Sequence, residues 1–382
     1  MNLNFQTVPL VESGLGKISI LSDVCNKLNI KKPLIITDQG LFKLGFVEKI
    51  EKNLTIKNIF PSVYNKVLAD PPENNIFEAV DQYKKHKADC VIGFGGGSSM
   101  DVAKAVSYFS INNVNIEECY GVNKLKNNRC PLIQIPTTAG TGSEVTPIAI
   151  FTLANEQKMG IVDPRLYADC AILDAELTIG LPKNITAYSG IDAMVHAIEA
   201  YTTKIKKNPL SDALARKALS LLGHNIKEAV NNPENKKARE SMLLGSMLAG
   251  MAFANAPCAA VHALAYPIGA KFHVPHGLSN SLVLPEVLKF NSRSIANLYC
   301  EIASDCLPDL EGKRNNIDNF ILGIEQLIID LKIPKKLKEV GINQKDIHML
   351  AEDALKQQRL LINNPRNVNI EDAIAIYQSA LQ

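Results

Sequence analysis

Apolar residues along this chain follow two rhythms, and the change falls at Leu181-Pro182. Ahead of it, short apolar runs alternate with amphipathic stretches. The runs at 34–37 (LIIT), 56–60 (IKNIF), 90–94 (CVIGF) and 131–135 (PLIQI) read as strands, and apolar runs continue through 171–173 (AIL). Helices are expected over 46–52, over 73–87 with Ile76, Val80 and Tyr83 on one stripe, and over 101–109. From residue 185 onward the spacing is helical almost throughout, with helices expected over 212–222, 236–254, 257–270, 294–305, 317–331 and 369–381. Turns at Asn208-Pro209, Asn232-Pro233 and Asn364-Pro365 separate several of them. The pattern predicts an α/β domain over residues 1–181 and an all-helical domain over 182–382.

Two of the strands run straight into unusual loops. The run at 90–94 opens into Gly95-Gly96-Gly97-Ser98-Ser99-Met100-Asp101, and a helix follows. Glycines let backbone approach a ligand, and N–H groups at the helix start point at an anion. A bare GGGSS also fits a flexible turn, and the loop lacks the Lys-Ser/Thr of a P-loop. Its place after an apolar strand favours a dinucleotide pyrophosphate. The run at 131–135 leads into Pro136-Thr137-Thr138-Ala139-Gly140-Thr141-Gly142-Ser143-Glu144, rich in small hydroxyl side chains. An ordinary Ser/Thr turn has the same composition, but two such loops after two strands suggest one ligand seated across both. Asp38, closing an earlier strand, is placed to accept from ribose hydroxyls or to cap a helix, and these roles are compatible. A carboxylate there would repel a 2′-phosphate, which argues for NAD over NADP.

Composition removes several function classes. With 382 residues, 46% hydrophobic and 21% charged, the chain has the make-up of a soluble globular protein of two domains. The 41 basic and 39 acidic residues nearly cancel, which predicts no nucleic-acid footprint. Eight isolated cysteines without C-x-x-C spacing predict a reduced, cytoplasmic protein. The start, MNLNFQTVPLVES, predicts no signal peptide. No Asp, Glu, Lys or Arg occurs between 241 and 270, a length that crosses a bilayer. Gly245, Gly250, Asn255, Pro257 and His262 interrupt that stretch, so it is read as buried core rather than a membrane span.

The candidate chemistry lies in the helical half. Asp192 and His196 stand four residues apart in GIDAMVHAIEAY at 190–201, on one helical face. A carboxylate and an imidazole so placed can grip one divalent cation, although most D-x-x-x-H pairs are chance. Only seven histidines occur in the chain, and His262 and His276 fall fourteen residues apart in a segment whose one charge is Lys271. They are candidates to complete an Asp/His₃ site.

These motifs together resemble the iron-containing (group III) alcohol dehydrogenase family. The resemblance is carried by GGGSSMD at 95–101, PTTAGTGSEVT at 136–146, LDAELTIGLP at 173–182, GIDAMVHAIEAY at 190–201, HALAYPIGAKFHVPHG at 262–277 and the terminal NNPRNVNIEDAIAIY, so it runs nearly end to end. It implies a Rossmann-like α/β domain followed by an all-α domain, the dehydroquinate synthase-like fold, with the site in the cleft between them. It implies Asp192, His196, His262 and His276 as ligands of Fe²⁺, or of Zn²⁺ or another divalent metal. By the same resemblance Gly96, Gly97, Ser98 and Asp101 contact the cofactor pyrophosphate, while Thr137, Thr138, Ser143 and Thr146 line the path of adenine, ribose and nicotinamide. Lys158 matches a position near the nicotinamide ribose, and Asp38 the position linked to NAD preference. Family members are usually homo-oligomers, often dimers.

In one place the chain departs from the family. Where a second histidine often follows the third ligand by four residues and is thought to relay protons, this chain has Tyr266. A phenol with an ordinary pKa near 10 is a poor relay at neutral pH. His273, just before His276, is the candidate replacement and is equally a simple loop histidine.

The expected activity is reversible, metal-dependent and NAD-linked hydride transfer between a small alcohol and its aldehyde or ketone. Two rivals are a hydroxy acid–oxo acid transhydrogenase on the same scaffold and a non-catalytic metal-binding protein. The second leaves both nucleotide loops without a purpose.

Overall fold

The computed structural model describes residues 3–154, 157–312 and 316–382; Met1 and Asn2 of the N-terminal stretch read above lie outside them. The chain divides into two compact units, one spanning Gln6–Thr138 and Ser143–Thr178, the other Ile179–Gln382 with Ala139–Gly142 and a piece of the N-terminus.

The first unit is a six-stranded sheet with helices on it. Its strands are β1 (Val11–Ser13), β2 (Pro33–Asp38), β3 (Ser62–Val67), β4 (Cys90–Gly95), β6 (Leu132–Pro136) and β9 (Cys170–Leu173). They run in the order β1-β9-β6-β4-β2-β3, every pair parallel. A smaller sheet joins β5 (Gly121–Val122) and the antiparallel pair β7 (Ile148–Thr152) and β8 (Lys158–Val162), in the order β5-β8-β7. The helices are α1 (Leu21–Lys27), α2 (Gln39–Lys43), α3 (Phe46–Ile56), α4 (Glu73–His86) and α5 (Gly97–Phe109). Ile35, Ile92, Phe94, Ile133, Ile135 and Ile172 from the sheet belong to one buried core cluster with Val47, Ile50 and Leu54 of α3. Each such side chain contributes about 1.5–3 kcal/mol by leaving water. Strands covered this way read as continuous apolar runs.

The strand expected at 56–60 is wrong, and the reason is a helix terminus. Ile56 is the last residue of α3, Asn58 turns left-handed (φ 58°), and Ile59 is buried just beyond. Ile59 N–H bonds to Leu54 O and Asn58 N–H to Thr55 O. Those two bonds make a Schellman motif, whose apolar residue after the turn imitates the start of a strand. The strand itself is β3, one turn later. The helix expected over 46–52 accordingly runs to Ile56, and that expected over 101–109 begins inside the glycine loop, at Gly97.

The second unit is helical: α6 (Lys183–Thr202), α7 (Pro209–Asn231), α8 (Lys236–Asn255), α9 (Ala260–Phe272), α10 (His276–Cys306), α11 (Ile317–Asp330), α12 (Ile347–Leu355), α13 (Gln358–Leu361) and α14 (Ile370–Leu381). α7 is far longer than the span 212–222: Asn208 caps it by accepting from Ser211 N–H, and Pro209 occupies the first position. The helix expected over 294–305 is the far end of α10, which carries a non-helical residue, Ile295, at its kink. α9 starts at Ala260, three residues later than Pro257 suggested. α6 packs against α7, α8 and α10, which is why it is apolar nearly all round.

Among the described residues no single helix is long and apolar enough to cross a membrane. The charge-free stretch is divided between α8 and α9, which are bent 107° to one another and largely buried.

Candidate active site

The helical unit brings four distant side chains to one point. Asp192 and His196 project from one face of α6, His262 from the first turn of α9, and His276 opens α10. One ligand atom from each lies within 4.8 Å of all the others. Asp192, His196 and His262 are buried, and the His276 side chain keeps about a third of its surface exposed (31%). From Asp192 Oδ1 the distances are 3.8 Å to His262 Nε2 and 3.6 Å to His276 Nε2. Gly277 permits this approach of α10 to α6, since a Cβ there would stand 2.2 Å from Tyr188 O.

The rings are held from behind. His262 Nδ1 is 2.6 Å from Glu199 Oε2, while Glu199 Oε1 accepts Val261 N–H at 2.7 Å. The carboxylate must accept, so Nδ1 carries the hydrogen and the Nε2 lone pair is turned toward the other ligand atoms. His196 Nδ1 likewise faces Gly140 O at 3.3 Å, which leaves its Nε2 lone pair free. His196 stacks between Phe253 (centroids 4.3 Å apart) and His262 (4.6 Å). Burial, reinforced by His262, pushes the His196 pKa down to about 4, so the ring is a neutral ligand at physiological pH. Burial also opposes charge on His262, but Cys258 and Glu199 outweigh it and raise its pKa. Glu199, Cys258 and His262 are themselves close enough to share an ion, yet both Glu199 oxygens are already engaged.

A carboxylate and three imidazoles fit a divalent cation of the borderline class, Fe²⁺ or Zn²⁺. The orienting partner Glu199 escaped the sequence reading, although it stands one turn beyond His196 on the same helix. So did Asn280, which donates to Asp192. Tyr266 sits beside the cluster, its ring 5.8 Å from that of His276. His273 ends α9 in a left-handed turn (φ 54°) with its side chain exposed.

The α/β unit places the loop residues at the carboxyl ends of adjacent strands. Gly95 pairs with Pro136, and Thr137 N–H bonds to Gly95 O at 3.0 Å, so the two loops lie side by side. Gly95 takes φ 151°, and a Cβ on it would strike Ser99. Gly96 is the N-cap of α5 with no side-chain hydrogen bond, and Gly97 and Ser98 form the first turn, whose N–H groups suit an anion. Thr138 faces Gly96. Asp38 closes β2, the next strand over, and caps α2 by accepting from Leu41 N–H at 3.0 Å.

Three of the expected cofactor residues are instead drawn together by a buried lysine. Lys104 Nζ reaches Ser143 Oγ at 2.6 Å, Thr146 Oγ1 at 3.2 Å, Ile148 O at 2.6 Å and Asp101 Oδ1 at 3.5 Å. Asp101 also accepts from Ser143 Oγ and from Ile150 N–H. Lys158, on β8, pairs with Asp70 at 2.6 Å. Beside Lys104, Glu144 is buried with Oε1 unpartnered among the described residues, and burial pushes its carboxyl up to about 7 from an ordinary 4.5. The folded protein therefore holds this proton more tightly than the unfolded chain. Its contribution favours folding below pH 4.5 and is lost as pH rises through about 7. Replacing Glu144 by Gln is expected to raise the melting midpoint at pH 8 but not at pH 5. The gap between the two pH values corresponds to at most about 3 kcal/mol; equal shifts at both would show that the group titrates normally.

Residues 9–175 match the iron-containing alcohol dehydrogenase family, and residues 186–381 match the C-terminal part of the Fe-containing alcohol dehydrogenase family. The chain belongs to the iron-containing alcohol dehydrogenases. It is 36% identical to sulfoacetaldehyde reductase of Bilophila wadsworthia over 98% of this chain and 97% of that one. It is also 36% identical to long-chain-alcohol dehydrogenase 1 of Geobacillus thermodenitrificans, covering 97% and 95% of the two. Among solved structures, a 1,3-propanediol oxidoreductase superposes with a TM-score of 0.96 at 32% identity, covering all of both chains. A sulfoacetaldehyde reductase from Bifidobacterium kashiwanohense in complex with NAD⁺ superposes with a TM-score of 0.90 at 26% identity, over 100% of this chain and 99% of that one. As an iron-containing alcohol dehydrogenase, the chain is an oxidoreductase acting on CH–OH groups.

Proposed function

We propose that this protein catalyses reversible, NAD-linked hydride transfer between a small alcohol and its aldehyde or ketone, at a divalent cation held by Asp192, His196, His262 and His276. The observation that carries the proposal is the convergence of those four ligand atoms within 4.8 Å. When bound, the cation supplies Lewis acidity that favours loss of the hydroxyl proton, and NAD supplies the hydride acceptor. The chain's own part is to hold the donors. Glu199 keeps His262 with Nε2 outward, Gly140 O does the same for His196, and burial keeps His196 neutral. Of the four ligand side chains, His276 keeps the largest exposed share, which puts access on its side. Tyr266, at that side, is placed to donate a hydrogen bond to substrate oxygen, with His273 as the alternative proton carrier. The first-turn N–H groups of Gly97 and Ser98 suit the pyrophosphate, with Thr137, Thr138 and the Lys104-anchored Asp101, Ser143 and Thr146 shaping the remainder of the cofactor site and Lys158 near the nicotinamide ribose. The Asp38 oxygen not used in capping favours ribose hydroxyls over a 2′-phosphate, hence NAD over NADP. In the same reading the protein is cytoplasmic, consistent with eight cysteines that form no disulfide among the described residues, and a homodimer.

The curated relatives named above are a reductase and a dehydrogenase, which favours this activity over a transhydrogenase. The test is a panel of short alcohols, diols and aldehydes assayed with NAD and with NADP after loading Fe²⁺ or Zn²⁺. The expected result is NAD(H)-dependent turnover with at least one pair, higher kcat/KM with NAD, and loss on chelation. No turnover with free nucleotide, alongside exchange between a hydroxy acid and an oxo acid, would overturn it.

A further inference from the structure

Asn280 lies one turn along α10 from His276, on the same face, and its side chain is fully buried. Its amide nitrogen stands 2.6 Å from Asp192 Oδ1, 3.3 Å from His262 Nε2 and 3.4 Å from His276 Nε2. One donor group therefore faces the ligand atoms of three of the four expected metal-binding residues. The other end of the same amide, Oδ1, is buried with no hydrogen-bond partner among the described residues. A buried acceptor left unmade is costly, so an amide retained merely for packing would have both ends satisfied, or would be replaced by an apolar side chain of its size. Here the used end is the one turned toward the ligand set.

We infer that Asn280 is a positioning residue for the metal centre: by fixing the Asp192 carboxylate, it sets the affinity and the coordination geometry of the bound divalent cation. The inference rests on the metal-binding reading proposed above. A hydrogen bond from an amide to a carboxylate oxygen at 2.6 Å is short and charge-assisted, and it selects one orientation of the carboxyl group. Ligands whose outer partners are removed bind metal more weakly, because the ligand atom must be ordered when the ion arrives. His262 has Glu199 for that purpose and His196 has Gly140 O; Asn280 supplies the equivalent for the one anionic ligand. The two i, i+4 pairs, Asp192 with His196 on α6 and His276 with Asn280 on α10, thus face each other as ligand, ligand, ligand and orienter.

The test uses the full chain with Asn280→Leu, which keeps the volume and removes the amide, and Asn280→Ala, which removes it without adding bulk. Zn²⁺ and Co²⁺ affinities are measured by chelator competition, and the visible spectrum of the Co²⁺ form reports its geometry. Both variants are expected to bind each ion about 10–100-fold more weakly, with shifted Co²⁺ bands. Parent-like affinity and spectrum in either variant would overturn the inference. His262→Ala separates this from failure of the underlying site. If His262→Ala binds metal as the parent does, the four-residue site itself is wrong. If His262→Ala loses the metal while the Asn280 variants keep parental affinity and spectrum, only the role of Asn280 falls.

Discussion

Replacing His262 by Ala is expected to remove tight metal binding and to lower turnover by at least about 1,000-fold, while the α/β unit still binds NAD. Three facts set the size of that effect. His262 is a central ring of the cluster, stacked on His196 and 5.4 Å from the His276 ring, so its loss leaves three of the four ligands. Its removal also strands Glu199, whose Oε2 faces its Nδ1 at 2.6 Å, as a buried carboxylate short of a partner. Finally, Lewis acidity contributes several kcal/mol to such a reaction, and each 1.4 kcal/mol is a factor of ten in rate. Metal content, turnover and quenching of nucleotide fluorescence are measured on the same preparation. Turnover equal to the parent's would exclude the metal role of His262. Loss of NAD binding together with metal would instead show that the change unfolds more than the site.

Much of this arrangement was legible in the chain because it is local. A strand that must be covered on both faces has to be apolar throughout, so CVIGF and PLIQI declared themselves, and the glycines after CVIGF mark where the chain turns at its carboxyl end. Asp192 and His196 are visible because helical spacing makes i and i+4 neighbours. What was not legible depends on packing between distant segments. Asn58 in a left-handed turn makes Ile59 a cap contact rather than a strand residue, and nothing in IKNIF distinguishes the two. Lys104 looks like a solvated helix residue until the hydroxyls of 143 and 146 fold over it. Asn280 resembles any polar residue in a Ser- and Asn-containing helix, and only the approach of α6 and α10 across Gly277 reveals its partner.

The second large effect concerns that lysine. Lys104→Met is expected to destabilise the α/β unit by about 3–5 kcal/mol and to weaken NAD binding, with metal content unchanged. The Lys104 side chain has no exposed surface, and burial lowers its pKa although Asp101 resists the shift. It is retained as a cation because four oxygens surround it, from Asp101, Ser143, Thr146 and Ile148. Methionine fills nearly the same volume, so the loss is one of charge and hydrogen bonds rather than of packing. Asp101 then becomes a largely buried carboxylate without its counter-charge, still tied to Ser143 and to Ile150 N–H. That identifies the control. Asp101→Asn in the Lys104→Met background removes the stranded charge and is expected to recover part of the stability, because the two side chains act as a unit. The sum of the single effects exceeding the double measures their coupling; strict additivity, or a single variant within about 0.5 kcal/mol of the parent, would mean that the segment 143–150 is held by its backbone and that Lys104 anchors nothing.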